Sequence, residues 1–569
     1  MKRKGIYKKI VSVFAAALLA VSCVSSVMTY AEDDDLTADL KRFDDKNQEQ
    51  IVYDMGAGIN LGNQFEAVNT DGYPSETAWG NPVITKELVK QIHDSGFNTI
   101  RLPVSYFLRI GEGPDYIIEE AWLDRIQEVV DYAYDLGMYV IMNMHGDGYY
   151  TIDNSWLLLG DYSDINPRMF DTDEEYQQAL AKEQARVDAM VDKYEKVWTQ
   201  VAERYKDYDE HIIFESMNEM QSKQTGTIYA KRFYHVLNRL NQTFVDAVRK
   251  TGSNNAKRWL LIPGWFAELN KIMNDELGFV IPSDEYKDPE ITENRFFLSI
   301  HFYEPSDFCL NETPERTTWG KESDYTNIET QFKAAYDKFI SNGYPMIIGE
   351  YGAVNKSAYD SENTRYRHDM YKAICAAARK YGLVPVAWDN GYTGNYGLGL
   401  FNRASATVAF QEVIDGIMEV YNADNLVSGN INVSDNAANE DISIKVVSKD
   451  GLYTAEISAV SLGSYSINNL SDGEYAITVG SEKYAPRTYD ITLNSQVIDL
   501  DITLNPYGDI NGDGDVTTAD VGLANSSAKS IKSLDDYKFV CADVVADGKI
   551  TTADVGKINA HAKGTKSLW

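Results

Sequence analysis

The sequence predicts a multidomain protein: an α/β domain of (β/α)8 TIM-barrel type, then a small antiparallel β-sandwich, then an α-helical module. Three observations predict it. From about Val52 to Tyr421, eight short β-type runs alternate with long stretches whose apolar residues recur three and four apart. Beyond Asn425 the text turns to short alternating runs separated by Asp-Gly and Gly signals. The chain then repeats itself: "DINGDGDVTTADVGLANSSAK" from Asp509 returns as "DVVADGKITTADVGKINAHAK" from Asp543, with "TTADVG" identical in both copies.

In chain order, residues 1–31 have the form of a secretory signal peptide. Lys2, Arg3, Lys4, Lys8 and Lys9 precede the apolar run Val11–Val24, and Thr29-Tyr30-Ala31 offers a small-residue cleavage site. That run is shorter than the ~20 residues a bilayer span needs, which weighs against an uncleaved anchor. A lipoprotein reading through Cys23 meets Ala20 where such cleavage boxes usually carry leucine. Residues 32–51 form a charged arm, loose or briefly helical. No later stretch is apolar and long enough to span a membrane, so the mature chain is expected to be exported, extracellular and soluble.

The formal net charge is −33, and −38 once the five leader cations are removed. Such a chain repels nucleic acid and anionic membranes and suits a neutral partner, a cationic partner or a divalent cation. Cys309, Cys375 and Cys541 remain after the leader and make no disulfide framework.

The barrel domain, 52–424, takes its strands from "GINLGN" (58–63), "NTIRLPV" (98–104), "YVIMNMH" (139–145) and "HIIFESMNE" (211–219). "WLLIPG" (259–264), "FFLSIHFY" (296–303), "PMIIGEYG" (345–352) and "VPVAWDNG" (384–391) complete the set. Helical stretches such as 122–137 and 331–343 lie between them, and Gly96, Gly137, Gly343 and Gly382 close helices before the next strand. An open doubly wound sheet is the alternative; eight strands would make it unusually wide, and no Gly-rich phosphate loop follows the first strand. Residues 430–505 give six or seven short strands without Trp or Phe. Their tyrosines, Tyr453, Tyr465, Tyr475, Tyr484 and Tyr489, leave open a carbohydrate-binding module or a spacer, and the scarcity of flat aromatics favours the spacer.

In the terminal repeat, 507–569, Asp509 opens a twelve-residue loop. Oxygen-bearing side chains fall at positions 1 (Asp509), 3 (Asn511), 5 (Asp513), 9 (Thr517) and 12 (Asp520), with Gly514 at 6 and Asp515 at 7. That is EF-hand calcium spacing with Asp at 12: a hard cation needs six to eight oxygens, and Gly at 6 permits the turn that converges them. The second loop supplies Asp543, Asp547, Lys549 at position 7, Thr551 and Asp554, but Val545 holds position 3, so this site is expected to be weaker. The paired loops, each followed by one helix, resemble a type I-like dockerin. The resemblance implies two structural calcium ions, a cohesin module of a cellulosome scaffold as partner, and a recognition pair repeated as Thr518-Ala519 and Thr552-Ala553, so that the cohesin could bind either way round.

The barrel has its own anomaly. "HIIFESMNE" ends on Asn218-Glu219, polar groups that a strand core rejects, and "IIGEYG" places Glu350 at the end of the seventh strand. In a parallel barrel both strand ends open on one face. Two carboxyls there suit hydrolysis of a glycosidic bond. Arg101, His145, His301, Tyr303 and Trp388 fall at other strand ends.

The segments "GINLGNQFE" (58–66), "ETAWGNP" (76–82), "GFNTIRLPVSY" (96–106), "FESMNE" (214–219), "SIHFYEP" (299–305), "IIGEYG" (347–352) and "AWDNG" (387–391), taken in order, resemble glycoside hydrolase family 5, most closely its endoglucanase branch. The resemblance implies a retaining endo-β-1,4-glucanase acting on cellulose or a related β-glucan without a catalytic cofactor. It implies Glu219 as general acid/base and Glu350 as nucleophile. Asn218 would bind the sugar 2-hydroxyl, Tyr303 and Arg101 would support Glu350, and His145, His301 and Trp388 would line the subsite at the cleaved bond. Xyloglucan, mixed-linkage glucan and mannan are rival substrates, and the insertion 147–170 is expected to carry the deciding aromatics; the alternative from another class is a non-catalytic carbohydrate-binding subunit with a decayed barrel, against which intact Glu219 and Glu350 argue. One departure stands out: many relatives carry two histidines at the third strand end, whereas Gly146 follows His145 here.

Overall fold

The computed structural model describes residues 43–159, 165, 171–220, 227–421, 426–437, 441–449, 451, 454–467, 470, 473–493 and 497–569. The leader, most of the arm, part of the 147–170 insertion and Tyr453 lie outside them. Among the described residues no helix is long and apolar enough to cross a membrane.

Eight parallel strands close into a barrel in sequence order. They are β1 (Gly58–Asn60), β2 (Thr99–Leu102), β3 (Tyr139–Asn143), β4 (Ile212–Glu215), β5 (Leu260–Pro263), β6 (Phe296–Phe302), β7 (Met346–Tyr351) and β8 (Leu383–Ala387). Closure is the pairing of Gly58 and Ile59 with Val386 and Ala387. The alternation of each strand divides its residues between two cores. Tyr139, Ile141, Ile213, Trp259, Leu261, Phe297, Ile347, Val384 and Val386 fill the barrel interior, while Val140, Met142, Ile212, Phe214, Leu260 and Leu298 pack with the helices.

Helix α1 (Gln48–Met55) precedes β1 and inserts Ile51 and Met55 into the interior cluster, so it closes the barrel floor. The boundary expected at 51/52 therefore cuts a helix that belongs to the barrel. Its start is fixed by a capping box between Asn47 and Gln50. The outer helices are α2 (Lys86–Asp94), α3 (Glu120–Tyr134), α4 (Asp173–Tyr205), α5 (Thr227–Lys250), α6 (Leu269–Met273), α7 (Glu322–Lys338), α8 (Asn363–Tyr381) and α9 (Gln411–Tyr421). Gly96, Gly137, Gly343 and Gly382 all have left-handed φ at the ends of these units. The fifth connection departs from the expected pattern: α6 has five residues, because Gly278, Pro282 and Pro289 interrupt the stretch that follows. A short hairpin, β9 (Phe401–Asn402) and β10 (Thr407–Val408), follows β8.

The second region packs two sheets around Val427, Ile431, Ile444, Val446, Tyr475, Ile477 and Tyr484. One sheet holds β12 (Ile442–Ser448), β13 (Thr454–Val460), β15 (Gly473–Gly480) and β16 (Arg487–Leu493), all antiparallel. The other pairs β11 (Leu426–Val433) antiparallel with β14 (Gly463–Ile467), but parallel with β17 (Val497–Asp499) and β18 (Ile502–Leu504). The expected all-antiparallel sandwich of six or seven strands is thus a mixed one of eight. Its last strands run back alongside the first after the chain has passed through the opposite sheet. They are interrupted at Leu500, whose carbonyl sits where a side chain on Gly429 would be, 2.3 Å from its ideal Cβ.

The terminal repeat forms α10 (Thr518–Ala528), α11 (Asp536–Ala542) and α12 (Thr552–Ala562) around Ile510, Ala524, Ala542 and Ile558. Thr517 and Thr551 cap α10 and α12 through equivalent boxes with Asp520 and Asp554. Cys309, Cys375 and Cys541 are buried free thiols.

Trp259 links the barrel floor to α1: it lies in the interior cluster, against Phe297 at 5.1 Å, and its Nε1 donates to Lys46 O at 3.2 Å. Trp259→Ala is expected to cost about 3–5 kcal/mol, read as a lowered urea midpoint of the barrel transition followed by activity.

Candidate active site

The carboxyl ends of β1, β4 and β7 converge on one guanidinium from β2. Arg101, fully buried on β2, donates from Nε to Glu215 Oε2 at 2.7 Å and from Nη1 to Glu350 Oε1 at 3.0 Å. Nη1 also reaches Asn60 Oδ1 at 3.0 Å, and Nη2 reaches Asn218 Oδ1 at 2.7 Å. Ser299 of β6 donates to the other oxygen of Glu215 at 2.7 Å. A buried cation is tolerable only when paired and fully hydrogen-bonded, and this one has two carboxylates and two amides.

Glu350 faces inward because β7 carries a bulge. The β6–β7 register jumps from Ile300↔Ile348 to His301↔Glu350, and the β7–β8 register jumps between Ile348 and Tyr351. One extra residue, Gly349, resets the alternation and turns Glu350 toward Arg101. Asn60 Nδ2 holds the Gly349 carbonyl at 2.8 Å. Gly349 suits this position: a Cβ there would lie 3.2 Å from His301 Nε2.

Strand β4 ends at Glu215, so Glu219 lies four residues beyond the strand expected to run through it. Ser216 N and Asn218 N still bond to Leu261 O and Met144 O, both at 3.0 Å, which pins the bend between the neighbouring strands. From there Glu219, about a quarter exposed, accepts from His301 Nδ1 at 2.7 Å. The same nitrogen stands 3.6 Å from Glu350 Oε2, and Tyr303 donates to that oxygen at 3.1 Å. Oxygens of Glu219 and Glu350 and a ring nitrogen of His301 all lie within 4.8 Å of one another.

Asn218 faces two ways. Its oxygen is fixed by Arg101, and its nitrogen points at Tyr149 Oη (2.6 Å) and His145 Nε2 (3.1 Å). His145 lies near-parallel to Trp388, ring centroids 5.8 Å apart. All eight barrel residues singled out from the sequence therefore meet at one face. Asn60, Glu215, Ser299 and Tyr149 belong to the same network and were not singled out. Glu215 had a signal, a carboxylate inside the apolar run "IIFES"; Asn60 and Ser299 had none.

Burial raises the proton affinity of Glu350, against the lowering charges of His301 and Arg101, and Glu219 adds to the rise. Burial lowers that of His301, but the charge of Glu350 and the bond to Glu219 reverse the shift upward. His145 is held well below its ordinary value by burial, Arg101 and His301, and is neutral.

Beside Trp388 lies a pocket of about 200 Å³ lined by Asn63, Glu66, Trp79, His145, Gly146 and Tyr149, among others. Burial pushes Glu66 up to about 7, against the backbone amides of Gln64 and Asn63 that hold it. The departure at Gly146 has a steric correlate: a Cβ there would lie 2.6 Å from Ser105 Oγ. In the described part of the insertion Tyr149 and Ile152 line this pocket, and Tyr150 between them in sequence is exposed. At the N-terminal end of β4, Asp209, Glu210 and His211 form a second acidic group, where Lys46 stands 3.5 Å from Glu210.

Glu215→Gln is expected to destabilise the barrel by about 3 kcal/mol, since it leaves part of a buried ion pair uncompensated. With a negative neighbour gone, Arg101 stabilises ionised Glu350 more strongly, so the acid limb of kcat/KM should move to lower pH; a pH–rate profile on an aryl glycoside checks it.

Comparison with known proteins places this geometry. Residues 59–394 match the family described as Cellulase (glycosyl hydrolase family 5). The chain is 45% identical over 385 residues to Endoglucanase A of Paenibacillus barcinonensis, covering 65% of this chain and 89% of that one. Among solved structures it resembles a family 5 xyloglucanase from Paenibacillus pabuli in complex with ligand, with TM-score 0.59 and 44% identity over 65% of this chain and 99% of that one. It also resembles a broad-specificity endoglucanase from Ruminococcus champanellensis with bound cellotriose, with TM-score 0.55 and 32% identity over 66% and 99%. With two opposed carboxylates at the mouth of a (β/α)8 barrel and a family match across most of that domain, the chain is a glycoside hydrolase and belongs to family 5.

Proposed function

We propose that this protein is a secreted, retaining endo-β-1,4-glucanase acting on cellulose or a related β-glucan. The observation that carries the reading is the pair Glu219 and Glu350, with oxygens within 4.8 Å and His301 between them. Retaining enzymes hold their carboxyls ~5–5.5 Å apart, too close for an intervening water and close enough for a covalent intermediate. In this mechanism Glu350 attacks the anomeric carbon as Glu219 protonates the departing oxygen, and the glycosidic bond breaks. Attack removes the charge from Glu350, and Glu219, now ionised, takes a proton from the water that releases the sugar. Arg101 and Tyr303 hold the nucleophile ionised and aimed, and Asn218 presents its amide nitrogen to the 2-hydroxyl.

Proton NMR of the first product is expected to show the β-anomer; an α-anomer first would contradict the mechanism. Glu350→Gln should abolish turnover, and Glu219→Gln should damage natural glucans far more than substrates with activated leaving groups.

The named relatives include endoglucanases and a xyloglucanase. That range supports xyloglucan as a second substrate, and initial rates across soluble cellulose, xyloglucan, mixed-linkage glucan and mannan rank them. In the sandwich, Tyr465, Tyr475 and Tyr484 are buried in the core and Tyr489 packs against it, which supports a spacer over a carbohydrate-binding module.

For the terminal repeat the reading is a dockerin holding calcium and engaging a cohesin. The donor sets are oxygen throughout. Asp509, Asp520 and Asp554 are buried, and their oxygens accept from main-chain amides of their own loops. Buried carboxylates of this kind fit a hard cation, which would be held in the first loop by the side chains of Asp509, Asn511, Asp513, Thr517 and Asp520 with the main-chain carbonyl of Asp515, and in the second by Asp543, Asp547, Thr551 and Asp554 with the main-chain carbonyl of Lys549. The pairs Thr518-Ala519 and Thr552-Ala553 are exposed, which supports two equivalent binding faces. Excess chelator is expected to weaken cohesin binding while hydrolysis of soluble glucan continues; unchanged cohesin binding would contradict the reading.

A further inference from the structure

The two loops of the terminal repeat are internal controls for each other. They share one backbone skeleton. Asp509 accepts from Gly512 N (2.7 Å) and Gly514 N (3.0 Å), and Asp543 accepts from Asp547 N (3.2 Å) and Gly548 N (2.8 Å). Asp520 accepts from Ile510 N and Thr517 N as Asp554 does from Val545 N and Thr551 N.

Their surroundings differ. Asp509 is fully buried and also accepts from Ser434 Oγ at 2.8 Å. Ser434 directly follows β11 of the sandwich. Gly514 faces the same turn: a Cβ there would lie 2.4 Å from Ser434 O and 3.0 Å from Asp435 Cα. In the second loop Asp543 is partly exposed, and a Cβ on Gly548 would meet nothing within 4 Å.

A second seam backs the first. Tyr537 of α11 donates to Ala485 O (3.1 Å) and accepts from Asn505 N (2.8 Å), with the Arg487 guanidinium 4.7 Å from its ring centroid. Tyr507 N donates to Lys483 O at 2.9 Å. Asp435, in the Ser434 turn, is itself tied to Lys483 Nζ and the Tyr484 hydroxyl, each at 2.9 Å.

We propose that the Ser434 turn clasps the first loop, so that the sandwich and the first repeat form one cooperative unit while the second loop opens independently. The metal-dependent half of this inference rests on the calcium reading above. Ser434 orients the Asp509 carboxylate from outside the loop, and the turn covers Gly514. Without a cation the first loop is therefore still held by the sandwich. The second loop is held only from within the repeat, as where Lys557 Nζ of α12 donates to Val544 O at 3.2 Å, and mutual repulsion of its acidic oxygens favours opening. The sandwich thus acts as a mount for the terminal module rather than as a loose spacer.

Hydrogen exchange on the full chain, in excess calcium and in excess chelator, tests this on peptides covering 509–520, 543–554 and the 433–437 turn. In chelator, exchange over 543–554 should rise at least tenfold while 509–520 stays as protected as the turn. Ser434→Ala should speed exchange in 509–520 several-fold and leave 543–554 unchanged. Gly514 and Gly548 both have left-handed φ, so Gly514→Ala and Gly548→Ala carry similar backbone strain, but the first alone meets the turn. Gly514→Ala should loosen 433–437, and Gly548→Ala should not. Loss of protection in both loops together, or a turn indifferent to Ser434→Ala and Gly514→Ala, would overturn the clasp. If neither loop responds to calcium, the calcium reading fails, whereas the two substitutions still judge the clasp because they act without metal.

Discussion

The buried guanidinium of Arg101 is the constraint on which the active face depends. A cation taken from water into a barrel interior is costly, and the cost is offset only by close anionic and amide partners. Here those partners come from three other strands: Asn60 on β1, Glu215 and Asn218 on and after β4, and Glu350 on β7. The charge therefore fixes the relative heights of four strand ends. It also explains a division of labour between carboxylates. Glu215, fully enclosed, is bonded to Arg101 and Ser299, while Glu350 shares the same guanidinium and meets Glu219, Tyr303 and His301 at the mouth.

The remaining groups follow from that anchor. With the oxygen of Asn218 bound to Arg101, its nitrogen is the group that faces the cleft. His301 stands between Glu219 and Glu350 and responds to both charges, while His145, facing Arg101 without a carboxylate of its own, stays neutral. Two imidazoles on one rim thus have proton affinities shifted in opposite directions for identifiable electrostatic reasons.

Much of this was legible in the sequence, because barrel strands are short apolar runs ended by polar residues and helix-closing glycines. All eight strands and all eight barrel residues could be located that way. The failures have physical causes. Glu215 was passed over because the strand was expected to run on to Glu219 rather than end at Glu215, and its partner Arg101 is more than a hundred residues away. The Gly349 bulge leaves no mark in a period-two pattern. The parallel return of β17 and β18 onto β11 depends on which edge is free, which no local pattern records. In the terminal repeat the two loops read as near-copies, yet only the fold reveals that one is covered by Ser434 and the other faces open space.

In the proposed mechanism a carboxylate oxygen of Glu350 forms the covalent bond of the glycosyl-enzyme, with Arg101 supporting it. Incubation with an activated 2-deoxy-2-fluoro glucoside oligomer, followed by proteolysis and mass spectrometry, tests it directly. One adduct on the peptide carrying Glu350, absent in Glu350→Gln, is the result expected. An adduct on Glu219, or turnover without any trapped enzyme, would contradict the account.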